Sequence, residues 1–347
     1  MDFNSLIEYA KNEGCSDVHI TVGTSIAVRK FGKLKMLEQV PTAEESEAMI
    51  LEPLTPEERK KVLDGEDLDF ALITEKGRLR ANIYHQRNNL AATYRILKEN
   101  IPTFEELDMP EAIRKLITEP RGLVLITGPT GSGKTTTLAS MIDYVNRRQA
   151  KHVMTIEDPI EYVYYHAKSM IHQREIGKDV SDFATALRSA LREDPDIILV
   201  GEMRDFETIS AAITAAETGH LVLATLHTTS APQTIERIID AYPPHGQNQV
   251  RSQLASVLRG VVTQQLVPRE DEEGMVMATE ILINNDAIAN QIRENKIPQI
   301  VSSIQAGAMQ GMHTLNADLK RLVKEKKIST ASALKYCSSV KEFENVR

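Results

Sequence analysis

The sequence predicts an α/β protein: a core with a mostly parallel sheet, preceded by a smaller α+β domain. Three observations carry that expectation. A buried strand, a glycine-rich loop and a helix start follow one another over 122–142. Strand-like and helix-like runs then alternate through the middle of the chain, as they do in parallel sheets. Ahead of them, 67–97 reads as three alternating runs, an antiparallel meander.

In chain order, Phe3, Leu6, Ile7 and Ala10 recur at helical spacing over 3–13, and 16–22 alternates as a strand. Strand-like runs follow at 26–31 and 34–40, punctuated by Gly32. Helices are expected at 43–51, with Thr42 as N-cap and Glu45 three residues on, and at 55–63, with Thr55 capping and Pro56 first. The meander takes 67–74, 77–87 and 90–97. A polar, proline-marked crossing at 99–111 separates this N-terminal domain, 1–98, from the rest. Helix 111–118 leads into the strand ending at Thr127. Helices then read at 134–148, 182–192, 205–217, 231–240 and 247–258. Strands read at 152–156, 169–173, 196–200, 220–226, 260–267 and 275–283. The core therefore spans 112–283, and 284–347 is a mixed-charge helical region.

Composition narrows the classes. At 347 residues, 41% hydrophobic and 26% charged, the chain suits a globular protein of two domains. A net charge of −8 argues against a nucleic-acid surface over the whole molecule. Cys15 and Cys337 stand far apart, which excludes a cysteine-cage zinc site built from this chain alone. The first residues lack a basic region and a long apolar core, and no apolar run reaches about 18 residues. Neither a signal peptide nor a membrane span is expected, so the expected location is cytoplasmic.

Gly128-Pro129-Thr130-Gly131-Ser132-Gly133-Lys134-Thr135 matches the phosphate-binding loop of nucleoside triphosphatases, and Thr136 opens the helix behind it. Its glycines let backbone N–H groups turn toward phosphate oxygens. Lys134 would reach the β- and γ-phosphates, and the Thr135 hydroxyl would ligate Mg²⁺ directly. Four groups of acidic or basic residues could complete the chemistry. The apolar run 197–200 ends in Gly201-Glu202, so Glu202 is a candidate for Mg²⁺ coordination through water, or for activating water; the alternative is a solvated acid. Glu157, Asp158 and Glu161 crowd three carboxylates into five residues, after a strand expected beside the loop strand; a bound cation would relieve their repulsion. His220 and His227 bracket the strand 220–226, and His227 would stand at its C-terminal end, where ligands bind such sheets. Arg78 and Arg80 share one face of their strand and Arg95 lies on the next, as candidate charge-stabilising fingers or a solvated sheet face. Arg192 and Arg204 could pair with Asp194 and Asp205.

Taken together, Ser16 to His19, Gly128 to Thr135, Thr155 to Glu161, Leu191 to Asp205, and Thr218 to Thr228 resemble the type II/type IV secretion superfamily of hexameric ATPases. Among these the chain is most similar to the PilT-like branch that retracts type IV pili. The resemblance implies a RecA-like ATPase domain behind a PAS-like N-terminal domain, with ATP and Mg²⁺ as cofactors. It implies Lys134 and Thr135 as Walker A, Glu157 to Glu161 as an acidic box with Glu161 as the favoured base, and Glu202 as Walker B. His220 and His227 become a histidine box, and Arg80 and Arg95 fingers from the N-terminal domain. The implied partners are five further copies in a homohexamer and a PilC-like platform protein of the inner membrane. The motor would act at the inner face of the cytoplasmic membrane, at the pilus base, without spanning the bilayer. One motif departs: Ala287-Ile288-Ala289-Asn290-Gln291-Ile292-Arg293-Glu294 differs from the branch's pattern at Ala289 and Gln291, which leaves an accessory paralogue open. The alternatives are a pilus-extension, DNA-uptake or secretion ATPase, or an ATP-gated regulatory module with little hydrolysis.

Overall fold

Side-chain periodicity and local capping account for the elements seen in the computed structural model, which describes residues 2–97, 100–271 and 274–343. Helix α1 (Phe3–Asn12) starts where the Asp2 carboxylate accepts the Ser5 N–H, and it buries Phe3, Leu6, Ile7 and Ala10. Strands β1 (Asp17–Ile20), β2 (Ala27–Lys30) and β3 (Lys33–Met36) follow. Helices α2 (Ala43–Leu51) and α3 (Pro56–Leu63) both open on capping boxes, Thr42 with Glu45 and Thr55 with Glu58. Strands β4 (Leu68–Thr74), β5 (Gly77–Gln86) and β6 (Asn89–Ile96) form the expected meander. The six strands make one antiparallel sheet in the order β3-β2-β1-β6-β5-β4. Tyr94 is fully buried against the Phe3 ring at its centre, with centroids 4.9 Å apart.

These elements belong to a compact unit of Met1–Asn100 that also takes in Pro159–Val163; Ile101–Asp158 and Tyr164–Arg347 form a second. Residues 98 and 99, where the expected domain boundary falls, lie outside the described residues.

The second unit runs α4 (Glu111–Ile117), β7 (Gly122–Thr127), α5 (Lys134–Arg148), β8 (His152–Glu157), β9 (Met170–Glu175) and α6 (Phe183–Ala190). It continues with β10 (Ile197–Val200), α7 (Phe206–Glu217), β11 (Leu221–Leu226), α8 (Ala231–Asp240), α9 (Gln247–Val257), β12 (Leu258–Pro268) and β13 (Met275–Ile283). Helices α10 (Asp286–Arg293), α11 (Ile300–Ala306), α12 (Leu315–Lys324) and α13 (Thr330–Tyr336) follow, and a 3₁₀ turn at Val340–Glu342 comes after them. The sheet order is β13-β12-β7-β11-β10-β8-β9, parallel throughout except for the β12–β13 pair. Every residue of β7, β10 and β11 is buried, as helices on both faces of a parallel sheet require.

This order corrects one expectation. The strand carrying Glu157 is not beside the loop strand, because β11 and β10 stand between β8 and β7. Crossover helices let consecutive strands be non-neighbours, and sequence order alone does not reveal the insertion.

Candidate active site

Parallel strands deliver their C-terminal ends to one edge of the sheet, and Lys134, His227 and Glu202 stand there. β7 ends at Thr127 and the chain turns through the loop into α5. Gly128 (φ 143°) and Gly133 (φ 89°) adopt conformations that other residues avoid. A Cβ at Gly128 would also strike the Gln264 carbonyl and the Ser132 hydroxyl. Lys134, buried at the first turn of α5, donates to the Gly128 carbonyl at 2.9 Å and the Pro129 carbonyl at 3.1 Å. Its ammonium is thus held at the mouth of the loop. Pro129, Thr130 and Gly131 are exposed at the loop's outer edge, and Thr135 and Thr136 are half-buried behind it. The Ser132 hydroxyl is buried and has no hydrogen-bond partner among the described residues.

β11 and β10 extend this centre sideways. His227, just past the end of β11, brings Nδ1 to 3.5 Å from Lys134 Nζ and Nε2 to 3.0 Å from Glu202 Oε1. Both contacts fit the tautomer that accepts at Nδ1 and donates from Nε2. The other Glu202 oxygen meets Arg204 Nη2 at 2.7 Å. Burial pushes the Glu202 carboxyl up, but the hydrogen bond from Arg204 and the nearness of His227 outweigh it and hold the group below its ordinary value. Glu202 therefore stays ionised. Gly201 is glycine because β10 closes on β8 here. Its N–H donates to the Ile156 carbonyl at 2.8 Å, and a Cβ would lie 3.2 Å from that oxygen and 3.4 Å from Glu157 Cα.

The structure gathers Lys134, His227 and Glu202, and the remaining expected residues have partners of their own. Glu157, buried at the end of β8, accepts from Thr155 Oγ1 at 2.7 Å and Gln173 Nε2 at 3.2 Å. Asp158 is exposed beside it. Glu161 lies in the segment that joins the N-terminal unit, where Arg78 donates to the carbonyls of Ile160 (2.8 Å) and Glu161 (3.1 Å). His220 precedes β11 at the opposite sheet edge, about 20 Å along the strand from His227. There its Nδ1 lies 3.0 Å from the Ala215 carbonyl at the end of α7. In the N-terminal sheet Arg80 and Arg95 are cross-strand neighbours. Arg80 grips Asp69 through Nε (3.0 Å) and Nη2 (2.8 Å), and Arg95 Nε meets buried Asp17 at 2.8 Å. Arg204 pairs with Glu202, and Asp205 caps α7 by accepting the Thr208 N–H at 2.8 Å. In the departing motif, Ala289 is buried in the core and Gln291 accepts from Ser303 Oγ at 3.0 Å.

Two supports were missed in the sequence. Arg78, read as a candidate finger or part of a solvated sheet face, holds the backbone of the acidic box. On β12, Thr263 Oγ1 and Thr127 Oγ1 lie 2.8 Å apart, and Gln264 Nε2 donates to the Ser132 carbonyl at 2.8 Å. The available signal was Thr263-Gln264-Gln265, polar residues inside an apolar strand.

Residues 1–343 match the family described as Type II/IV secretion system protein. The chain is 44% identical over 335 residues to the type IV pilus retraction ATPase PilT of Pseudomonas aeruginosa, covering 96% of this chain and 97% of that one. Over 293 residues it is 47% identical to a twitching motility protein of Neisseria gonorrhoeae, covering 84% and 78%. Among solved structures, a crystal structure of the pilus retraction motor PilT with bound ADP is similar at a TM-score of 0.90 and 44% identity, over 99% of both chains.

Proposed function

The chain belongs to the Type II/IV secretion system protein family, and we propose that it is an ATP-hydrolysing motor that powers type IV pilus retraction and twitching motility. The observation that carries this reading is the bonded run from Lys134 through His227 to Glu202, which ties the phosphate-binding loop to an ionised acid two strands away. A site built only to hold a nucleotide has no need of that acid. Similarity to PilT over nearly the whole chain supplies the process.

In this reading Gly128 to Thr136 hold the triphosphate through backbone N–H groups and the Lys134 ammonium. The Thr135 hydroxyl and the Glu202 carboxylate, the latter through water, are all-oxygen donors suited to Mg²⁺, a hard cation. When bound, Mg²⁺ would neutralise charge on the β- and γ-phosphate oxygens. Glu202 orients His227 by accepting its Nε2 proton, and His227 in turn faces the Lys134 ammonium. Glu161 is the proposed base for the attacking water, with Glu157 and Asp158 shaping the acidic box. His220 completes the histidine box from its place beside α7. Arg80 and Arg95 supply positive charge to the transition state. We adopt 1–98 as the N-terminal domain, 99–111 as the linker, 112–283 as the ATPase core and 284–347 as the helical region. The working form is a homohexamer, peripheral to the inner membrane and coupled to a PilC-like platform protein. No helix among the described residues is long and apolar enough to cross a membrane.

The test is steady-state phosphate release with the mass in solution, for the unchanged chain, Glu202→Ala and Arg80→Ala. A hexamer whose turnover disappears in both variants while ADP still binds is the expected result. A monomer without turnover would sink the motor; normal turnover in Arg80→Ala would remove that arginine from the chemistry.

A further inference from the structure

Gln264 is the one long polar side chain on β12 that is fully buried among the described residues and aimed at the phosphate-binding loop. Its amide Nε2 donates to the Ser132 carbonyl at 2.8 Å across 132 positions of sequence. Its own backbone carbonyl fills the space beside Gly128, where a Cβ would stand. One residue earlier, Thr263 pairs with Thr127 at the end of the loop strand. The loop is therefore braced from β12 at both its entry and its exit. The Gln264 Oε1 atom is buried without a partner among the described residues. An orphaned acceptor in such a place costs stability, so the amide is retained at a cost that core packing alone does not explain.

We propose that Gln264 is a positioning residue for nucleotide binding: it fixes the Ser132–Gly133 peptide so that the Gly133 N–H is presented to the phosphates. The inference rests on the reading of Gly128 to Thr135 as the triphosphate site. Its physical basis is the planarity of the trans peptide, in which C=O and N–H point in opposite directions. Anchoring the Ser132 carbonyl toward β12 turns the Gly133 N–H away from β12, toward the concave side of the loop. Gly133, at φ 89° and ψ 13°, has no Cβ to hinder rotation of that peptide. Without the anchor both orientations become accessible, and phosphate binding must then select one.

The experiment compares the unchanged full-length chain with Gln264→Leu and Gln264→Glu, measuring Kd for a fluorescent ADP, KM and kcat for ATP, and Tm. For Gln264→Leu, Kd and KM should rise about tenfold with kcat changed far less, since one buried hydrogen bond is lost before binding. For Gln264→Glu, the carboxylate repels the Ser132 carbonyl, whereas the protonated acid can donate to it. The variant's Kd relative to the unchanged chain should therefore recover as pH is lowered. A merely structural role would lower Tm without a KM-specific loss or that pH dependence. Unaltered KM and Kd in Gln264→Leu would overturn the proposal; if that variant fails to fold, a Gln264→Glu pH profile parallel to the unchanged chain would do so. Failure of the unchanged chain to bind ADP would instead overturn the triphosphate site itself.

Discussion

Replacing His227 with alanine removes the link between Lys134 and Glu202 and leaves both ends in place. Two contacts are lost: the bond to Glu202 at 3.0 Å and the longer approach to Lys134 Nζ at 3.5 Å. A hydrogen bond to a charged group contributes about 1.5–3 kcal/mol. The His227 side chain is 43% exposed and that of Glu202 18%, so solvent screening favours the lower end. Adding a small share for the long contact gives ~2 kcal/mol, which corresponds to roughly a thirtyfold loss in kcat if the bridge acts in the transition state. ADP affinity should change little, because Lys134 keeps its bonds to the Gly128 and Pro129 carbonyls. His227→Gln, whose Nε2 can still donate toward Glu202, should recover part of the rate. The assay is phosphate release at saturating ATP beside fluorescent-ADP binding. A kcat for His227→Ala within twofold of the unchanged chain would refute the bridge, and so would a pure KM effect.

Three further outcomes follow from the same geometry. Gly201→Asp, which installs the acid many P-loop proteins carry at this position, should abolish turnover rather than raise it. Its Cβ would crowd the Ile156 carbonyl and Glu157 Cα and shift Glu202; restored or increased phosphate release would contradict this. Glu280, buried on β13, accepts the backbone N–H groups of Ala231 and Leu315, the first residues of α8 and α12. Glu280→Ala should therefore cost about 2 kcal/mol in urea unfolding, two helix-start bonds less the relief of a buried carboxylate; an unchanged urea midpoint would count against it. Arg204→Ala removes a bond that holds the Glu202 carboxyl below 4.5. A depressed carboxyl stabilises the fold above that value and loses the contribution as pH falls through its folded pKa. The variant's Tm should thus lie lower near neutral pH and fall less as pH drops below 4.5, since the carboxyl loses part of its depression, and superimposed acid profiles would exclude the pairing.

The elements were legible because their signals are local. Capping boxes at Thr42 and Thr55, the glycine loop and the period-two meander all specify structure within a few residues. Sheet order was not legible, since which strand lies beside β7 depends on crossover geometry that periodicity does not record. That is why Glu157 was placed two strands too close. The Arg204–Glu202 pair went unforeseen for a related reason: it depends on how the chain turns after β10, and residue order does not record that turn. The bracing roles of Arg78 and Gln264 went unforeseen because each acts on backbone carbonyls far away in sequence, 82 positions to Ile160 and 132 to Ser132. Backbone partners leave no residue-type pattern of their own, and the polar run 263–265 in an apolar strand marks only one end of the contact.

Sheet order also explains why the site has the form it does. In space β7, β11 and β10 are consecutive, each about 4.8 Å from the next. The residues just past their C-terminal ends include Lys134 at the far side of the loop, His227 and Glu202, in that same order. Between the lysine and the acid two strands away, an imidazole, with acceptor and donor on opposite sides of one ring, spans the gap. The acid stands at 202 rather than 201 because the space at 201 is taken by β8. Placing the carboxylate one residue further on removes it from that crowding and lets it meet His227 and Arg204. Glycine at 201, histidine at 227 and glutamate at 202 are thus one solution to one geometric constraint, and changing any of the three alters what the other two can do.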